Sequence, residues 1–164
     1  MVAITTNGTT WTQVGNTVTI AGTTSIFSSA ASFRVGSQRN VSDLSLTGRV
    51  SDAAAVKKAV WEREQQRSTG IGEGLAIPHG KTPAAHGLCL AVGRLAQPIE
   101  YDSIDRKPVR LVVLLVSPPE RTSEHIQALG RISRLMTNPA FRERVYGAED
   151  PKQLCELFRD AERG

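Results

Sequence analysis

Val109-Arg110-Leu111-Val112-Val113-Leu114-Leu115-Val116 is the apolar run that decides the fold. Only Arg110 interrupts it, and β-branched residues fill half of it, so it reads as a central strand buried on both faces. A strand of that kind needs helices on both sides of its sheet. The run is far shorter than the ~20 apolar residues that cross a bilayer, and no longer run exists, so a membrane span is excluded.

Downstream, Pro118-Pro119 breaks the chain, and Thr122 or Ser123 is the expected cap of a helix with the stripe Ile126, Leu129, Ile132, Leu135, Met136. Asn138-Pro139 ends that helix and starts a short one through Val145. Asp150-Pro151, with Gln153 three residues on, resembles a capping box for a last helix with Leu154, Leu157 and Phe158 inward. Upstream, Leu88 to Leu95 is a second apolar strand and Leu75 to Ile77 a short one, stopped by Pro78. Asp52 caps a predicted helix from about Ala53 to Gln66, with Val56, Val60 and Arg63 on one stripe.

The first part of the chain differs. Residues 1 to 33 carry no charge but nine threonines and four serines. Thr10–Val14 and Thr17–Ile20, flanking Gly15-Asn16, predict a β-hairpin. Residues 21 to 48 read as a loosely ordered connection. The expected organisation is an atypical segment over residues 1–50 and a globular domain over 51–164. The expected fold class is α/β, a mixed sheet with helices packed on both faces and a Thr/Ser-rich N-terminal segment.

At 164 residues, with 40% hydrophobic and 22% charged residues, the chain is an ordinary globular protein rather than a disordered one. The formal charge of +4 is mild, and signs alternate, as in Glu62-Arg63-Glu64 and Arg142-Glu143-Arg144. That pattern argues against nucleic acid, and an acidic protein partner is the better use of the excess. Cys89 and Cys155 each sit in an apolar pattern and read as buried thiols of a reducing compartment. The amino terminus lacks a basic, then apolar, leader, so a cytoplasmic location is expected.

The chemistry gathers in the stretch from Glu62 to Gly80. It reads as a helix ending in charge, a loop with Gly70, Gly72 and Gly74, a short strand, and His79 between Pro78 and Gly80. Proline fixes the backbone before the imidazole, and Gly80 is expected to let the chain turn after it. A neutral imidazole is a usable nucleophile, and loop amides, Arg63, Ser68 and Thr69 are donors suited to an anion. Taken singly these are weak signals, since Pro-His-Gly is ordinarily a turn. The loop is neither a Rossmann nor a P-loop fingerprint. His125 falls in the first turn of its helix, where a half-buried structural histidine is equally at home. His86 reads as exposed. Three histidines without a nearby carboxylate or cysteine at ligand spacing make a poor metal site, and no Gly-x-Ser-x-Gly elbow is present.

Together, Arg63-Glu64…Ser68-Thr69-Gly70-Ile71-Gly72…Gly74-Leu75-Ala76-Ile77-Pro78-His79-Gly80 closely resembles the active-site segment of fructose/mannitol-type IIA domains. These belong to the bacterial phosphoenolpyruvate-dependent phosphotransferase system. The resemblance extends through Pro98-Ile99, Asp102-Ser103-Ile104-Asp105, Pro108-Val109, His125-Ile126…Leu129 and Leu154…Leu157, over roughly residues 53 to 160. The Pro-His-Gly-Lys detail is similar to the nitrogen-regulatory branch.

The resemblance implies a phosphotransferase component with a phosphohistidine intermediate. His79 would take a phosphoryl group from a small histidine-phosphorylated carrier protein of the HPr kind. His125 would support the phosphoryl group or the attacking tautomer, and Arg63 would balance charge. From the donor chemistry of the residues themselves, Ser68, Thr69, Gly70, Gly72 and Gly80 are the expected phosphate-binding positions. The group would pass to a IIB domain, or its presence would serve as a signal; a regulatory interaction module and an inactive scaffold are the alternatives. The P–N bond is already activated, so no nucleotide, metal or other cofactor is implied.

Family members begin with a strand and a long charged helix that covers one sheet face. Residues 20 to 48 show no 3.6-residue stripe for that helix. Either the Thr-rich segment covers the face in another way, or a partner chain does; the second alternative predicts a homodimer.

Overall fold

Every residue from Val109 to Ser117 except Arg110 is buried, as a strand covered on both faces requires. The computed structural model describes residues 2–6, 10–13 and 49–163. Its strands are β1 (Val2–Thr6), β2 (Thr10–Gln13), β3 (Gly70–Gly72), β4 (Leu75–Ala76), β5 (His79–Lys81), β6 (Cys89–Ile99) and β7 (Val109–Ser117). Helix α1 spans Ala53–Gln66, α2 Thr122–Thr137, α3 Pro139–Gly147 and α4 Pro151–Arg163, with a 3-10 turn at Pro119–Arg121. No helix among the described residues is long and apolar enough to cross a membrane.

The strand order is β2-β1-β6-β7-β4-β3, with β5 also paired to β7. β6 runs antiparallel to β7, whereas β4 and β5 run parallel to it, so the sheet is mixed. The parallel register sets His79 beside Leu115 and Lys81 beside Ser117. Successive side chains point to opposite faces. Leu111, Val113 and Leu115 therefore pack with Ile132 and Met136 of α2, Val145 of α3 and Leu154 of α4. Val112, Leu114 and Val116 pack with Val56 and Val60 of α1.

Helix boundaries follow the capping chemistry. Asp52 accepts from the amides of Ala54 and Ala55, and Asn138 from those of Ala140 and Phe141. Gln153 donates its amide to Asp150, and its side-chain oxygen accepts from Glu149 N, one residue earlier than a standard box. At α2 the expected cap is not found. The 3-10 turn precedes the helix, and Thr122 donates to the Pro119 carbonyl instead of capping. Ile126, expected on the buried stripe, is 61% exposed, because the inward position of that turn of α2 is taken by His125, which is 3% exposed and bonded to Ser117 of β7.

In the N-terminal segment, β2 covers Thr10–Gln13 of the predicted first hairpin arm, Thr10–Val14. Its antiparallel partner is β1, which also pairs with β6, so β1 is flanked on both sides and β2 forms the outer strand at that end of the sheet. The predicted second arm, Thr17–Ile20, and the connection over 21–48 lie outside the described residues. Cys89 and Cys155 are buried free thiols, and burial pushes each up to about 11.

Candidate functional site

Among the described residues β5 pairs with the last residues of β7, at the end of the sheet, and His79 there is half-buried. Its Nδ1 lies 2.8 Å from the carbonyl oxygen of Ile77, an acceptor only, so the bond is Nδ1–H to oxygen. That leaves Nε2 with its lone pair. Burial, opposed by this hydrogen bond and assisted by the nearby charges of Arg63 and Lys81, lowers the pKa of the ring. His79 is therefore neutral and nucleophilic at neutral pH.

His125 stands opposite, its ring centroid 5.5 Å from that of His79 and tilted by 59°. It is only 3% exposed, and its Nδ1 is 2.8 Å from the hydroxyl of Ser117. Burial first, then His79 and Lys81, holds its pKa down to about 4. Both rings border an open cleft of about 420 Å³, which Arg63, Gly80, Lys81 and Ile126 also line. Lys81 Nζ donates to Thr122 Oγ1 at 2.8 Å, tying β5 to the start of α2. Arg63, half-buried, donates to the carbonyl of Arg67 at the end of α1. Glu62 also lines the opening, with its carboxylate 3.9 Å from Lys58 Nζ. The two cations beside two neutral imidazoles still leave the cleft net positive, which suits a small anion.

Among the predicted residues, the fold brings together His79, His125, Arg63 and Gly80. Gly80 does not turn the chain, since β5 continues through Lys81. What it provides is closeness: a Cβ there would stand 2.9 Å from Val60 N and 3.0 Å from the carbonyl carbon of Ala59. The absent side chain lets α1 lie directly against β5.

Ser68, Thr69, Gly70 and Gly72 are not among the residues that line the cleft. Their donors are engaged elsewhere. Thr69 donates its amide (2.8 Å) and hydroxyl (2.5 Å) to the carboxylate of Glu64, and its hydroxyl is 3.1 Å from that of Tyr101. Ser68 Oγ donates to the carbonyl of Tyr101 and accepts from Gly70 N. The Thr69 carbonyl takes the amide of Ile77, whose own carbonyl holds His79. The loop thus acts on the histidine as a scaffold, through backbone links.

Glu64, Lys81 and Ser117 are the contributors that sequence reasoning passed over. Glu64 is buried, and burial raises its pKa against the lowering effect of its Thr69 bonds. Its signal is the spacing Val56, Val60, Glu64, which continues the buried stripe at i, i+4, i+8 better than Arg63 does. For Ser117 the signal is strand parity: it shares the face of Leu115 and Val113, the face that meets α2.

The fold is shared with solved IIA structures. Nitrogen regulatory protein IIA-Ntr of Neisseria meningitidis superposes with a TM-score of 0.67 at 26% identity, over 75% of this chain and 86% of that one. Enzyme IIAMTL of Escherichia coli, solved in complex with phosphorylated enzyme IIBMTL, shares the fold at 18% identity. Its TM-score is 0.63, over 76% of this chain and 85% of that one. The family model described as phosphoenolpyruvate-dependent sugar phosphotransferase system, EIIA 2, matches residues 38–161, and the chain belongs to that family. Two relatives fall on different branches at similar identity. The nitrogen regulatory protein of Bradyrhizobium diazoefficiens is 35% identical over 69% of this chain and 72% of its own length. The fructose-specific EIIABC component of Bacillus subtilis is 33% identical over 75% of this chain, which spans only 19% of that larger protein.

Proposed function

We propose that residues 51–164 form a cytoplasmic phosphohistidine carrier in which Nε2 of His79 accepts a phosphoryl group from a histidine-phosphorylated carrier protein. The observation that carries this reading is the Nδ1 contact to the Ile77 carbonyl, beside a second neutral imidazole and two cations. Nε2 attacks phosphorus in line, the donor's P–N bond breaks, and its electron pair returns to the donor nitrogen. Lys81 and Arg63 balance charge on the equatorial oxygens, and His125 offers a further polar contact. Exposed Ile126 at the mouth of the cleft gives an incoming protein an apolar foothold.

From His79 the group passes to a IIB domain, in keeping with the complex solved for the Escherichia coli relative in fold. A phosphorylation-dependent regulatory role is the second reading, favoured by the identity to a nitrogen regulatory protein. Both readings need the same phosphorylated residue. Incubation with phosphoenolpyruvate, the first relay enzyme and its carrier, followed by intact mass, should show an acid-labile gain of ~80 Da, one phosphoryl group. His79→Ala should abolish it; a gain that persists in that variant would refute the assignment.

A further inference from the structure

We infer that Ser117 is a positioning residue: its hydroxyl donates to Nδ1 of His125 and fixes that ring as the Nε2–H tautomer. The ring then turns a neutral N–H donor toward the phosphoryl group carried by His79. The role in transfer rests on the carrier reading above; the tautomer assignment does not.

Ser117 closes β7 and is fully buried, and its Oγ lies 2.8 Å from His125 Nδ1. A hydroxyl and a neutral imidazole nitrogen can share this bond in either direction. The surroundings choose between them. Among the described residues, His125 Nδ1 is the hydrogen-bond partner found for that hydroxyl. If the ring donated, the serine proton would be left in the interior without an acceptor, at the desolvation cost of a lost hydrogen bond. If the serine donates, its proton is satisfied, and Nδ1 must be the unprotonated nitrogen. The ring proton then sits on Nε2, the polar atom left for the cleft shared with His79.

The backbone keeps the serine in place. Its carbonyl accepts the amide of Thr82 at 2.9 Å, and Lys81 is its cross-strand partner on β5. One strand end thus fixes two features of the site: the register that holds His79 and the proton position on the second ring. The two rings are given opposite tautomers by different partners. A carbonyl, which can only accept, puts the proton of His79 on Nδ1 and frees Nε2 to attack. A hydroxyl with no other acceptor among the described residues puts the proton of His125 on Nε2, where a donor is useful.

Long-range 1H–15N correlation spectra of the full chain at neutral pH test the assignment directly. His125 should show an unprotonated-type Nδ1 and a protonated-type Nε2, and Ser117→Ala should mix the two forms. The same variant should slow phosphoryl acceptance about three- to ten-fold, as loss of one oriented hydrogen bond allows, and Ser117→Thr should restore both readouts. A protonated-type Nδ1 in the unaltered chain would overturn the proposal, with no variant required. So would an unchanged tautomer in Ser117→Ala. A chain with the expected tautomer that never gains the phosphoryl group would refute the carrier reading, and with it the serine's part in transfer, while the hydroxyl-to-ring assignment stands.

Discussion

Gly80 lies so close to Val60 that a Cβ built on it would approach the Val60 amide nitrogen to 2.9 Å. The obstacle is helix backbone, which cannot rotate aside as a side chain can. Gly80→Ala should push α1 away from β5 and cost about 1–3 kcal/mol, the usual range for overpacking. It should also slow phosphoryl acceptance, because α1 carries Arg63 to the cleft. Denaturant midpoints and a time course of the mass gain would measure the two effects.

Gly74 offers a control at the other end of the sheet. It adopts φ +80°, and a Cβ there would meet the Tyr146 hydroxyl at 2.9 Å. That hydroxyl donates to the Glu73 carbonyl, and Arg110 covers the Tyr146 ring at 4.2 Å. Gly74→Ala should destabilise by about 1–3 kcal/mol, through backbone strain and crowding. Yet the Gly74 carbonyl meets β7 at Arg110 and Leu111, whereas His79 pairs at Leu115. That is about 13 Å along the strand at ~3.3 Å per residue. The initial rate of phosphoryl acceptance by folded protein should be unchanged.

Stability should fall with acid in a defined window. His125 titrates at about 4 in the fold, and His79 is also lowered, against roughly 6.5 in an unfolded chain. Between those values the unfolded state binds more protons, so stability present at neutral pH drains away as pH falls from about 6.5 toward 4. Glu64 works in the opposite sense at the acid end, since its raised pKa favours the protonated fold. His125→Asn, which keeps an acceptor for Ser117, should flatten the slope in thermal midpoints across this window. An equally steep profile in the variant would show that other groups control it.

Glu64 should prove structural in a way its charge does not suggest. Glu64→Ala strands the Thr69 amide in the interior and should cost about 2–3 kcal/mol. Glu64→Gln keeps an oxygen for that amide, and the Thr69 hydroxyl can turn toward Tyr101, so the loss should stay below about 1.5 kcal/mol. Chemical denaturation of the two variants side by side would measure the difference.

What the sequence revealed was chiefly local. The ends of α1 were readable from Asp52 and Gln66, and β7 from an apolar run with a single arginine, because caps and burial are written into neighbouring residues. His79, which the fold places at a cleft, was legible as a candidate site, and the likeness of its flanking motif to IIA domains reached as far as His125. The loop was harder. Ser68, Thr69 and the glycines are polar or permissive in the right place, but their partners, Glu64 and Tyr101, come from another turn of helix and a distant loop. At the end of α1 a rotation of about 100° per residue decides whether Arg63 or Glu64 faces inward, and only packing settled that. Ile126 fitted a buried stripe by spacing, yet its neighbour His125 takes the inward position of that turn and leaves Ile126 outside.

The grip on His79 comes from its own chain, two residues back and through one ring nitrogen, which leaves the other edge free to be loaded or emptied without any shift of β5. Under the carrier reading, the two forms of this protein then have nearly one shape and differ in electrostatic potential at the rim of the cleft. A downstream protein that distinguishes them must sense that field rather than a rearranged epitope. Such discrimination should fade with added salt, as screening shortens to about 3 Å at 1 M, long before the fold itself weakens.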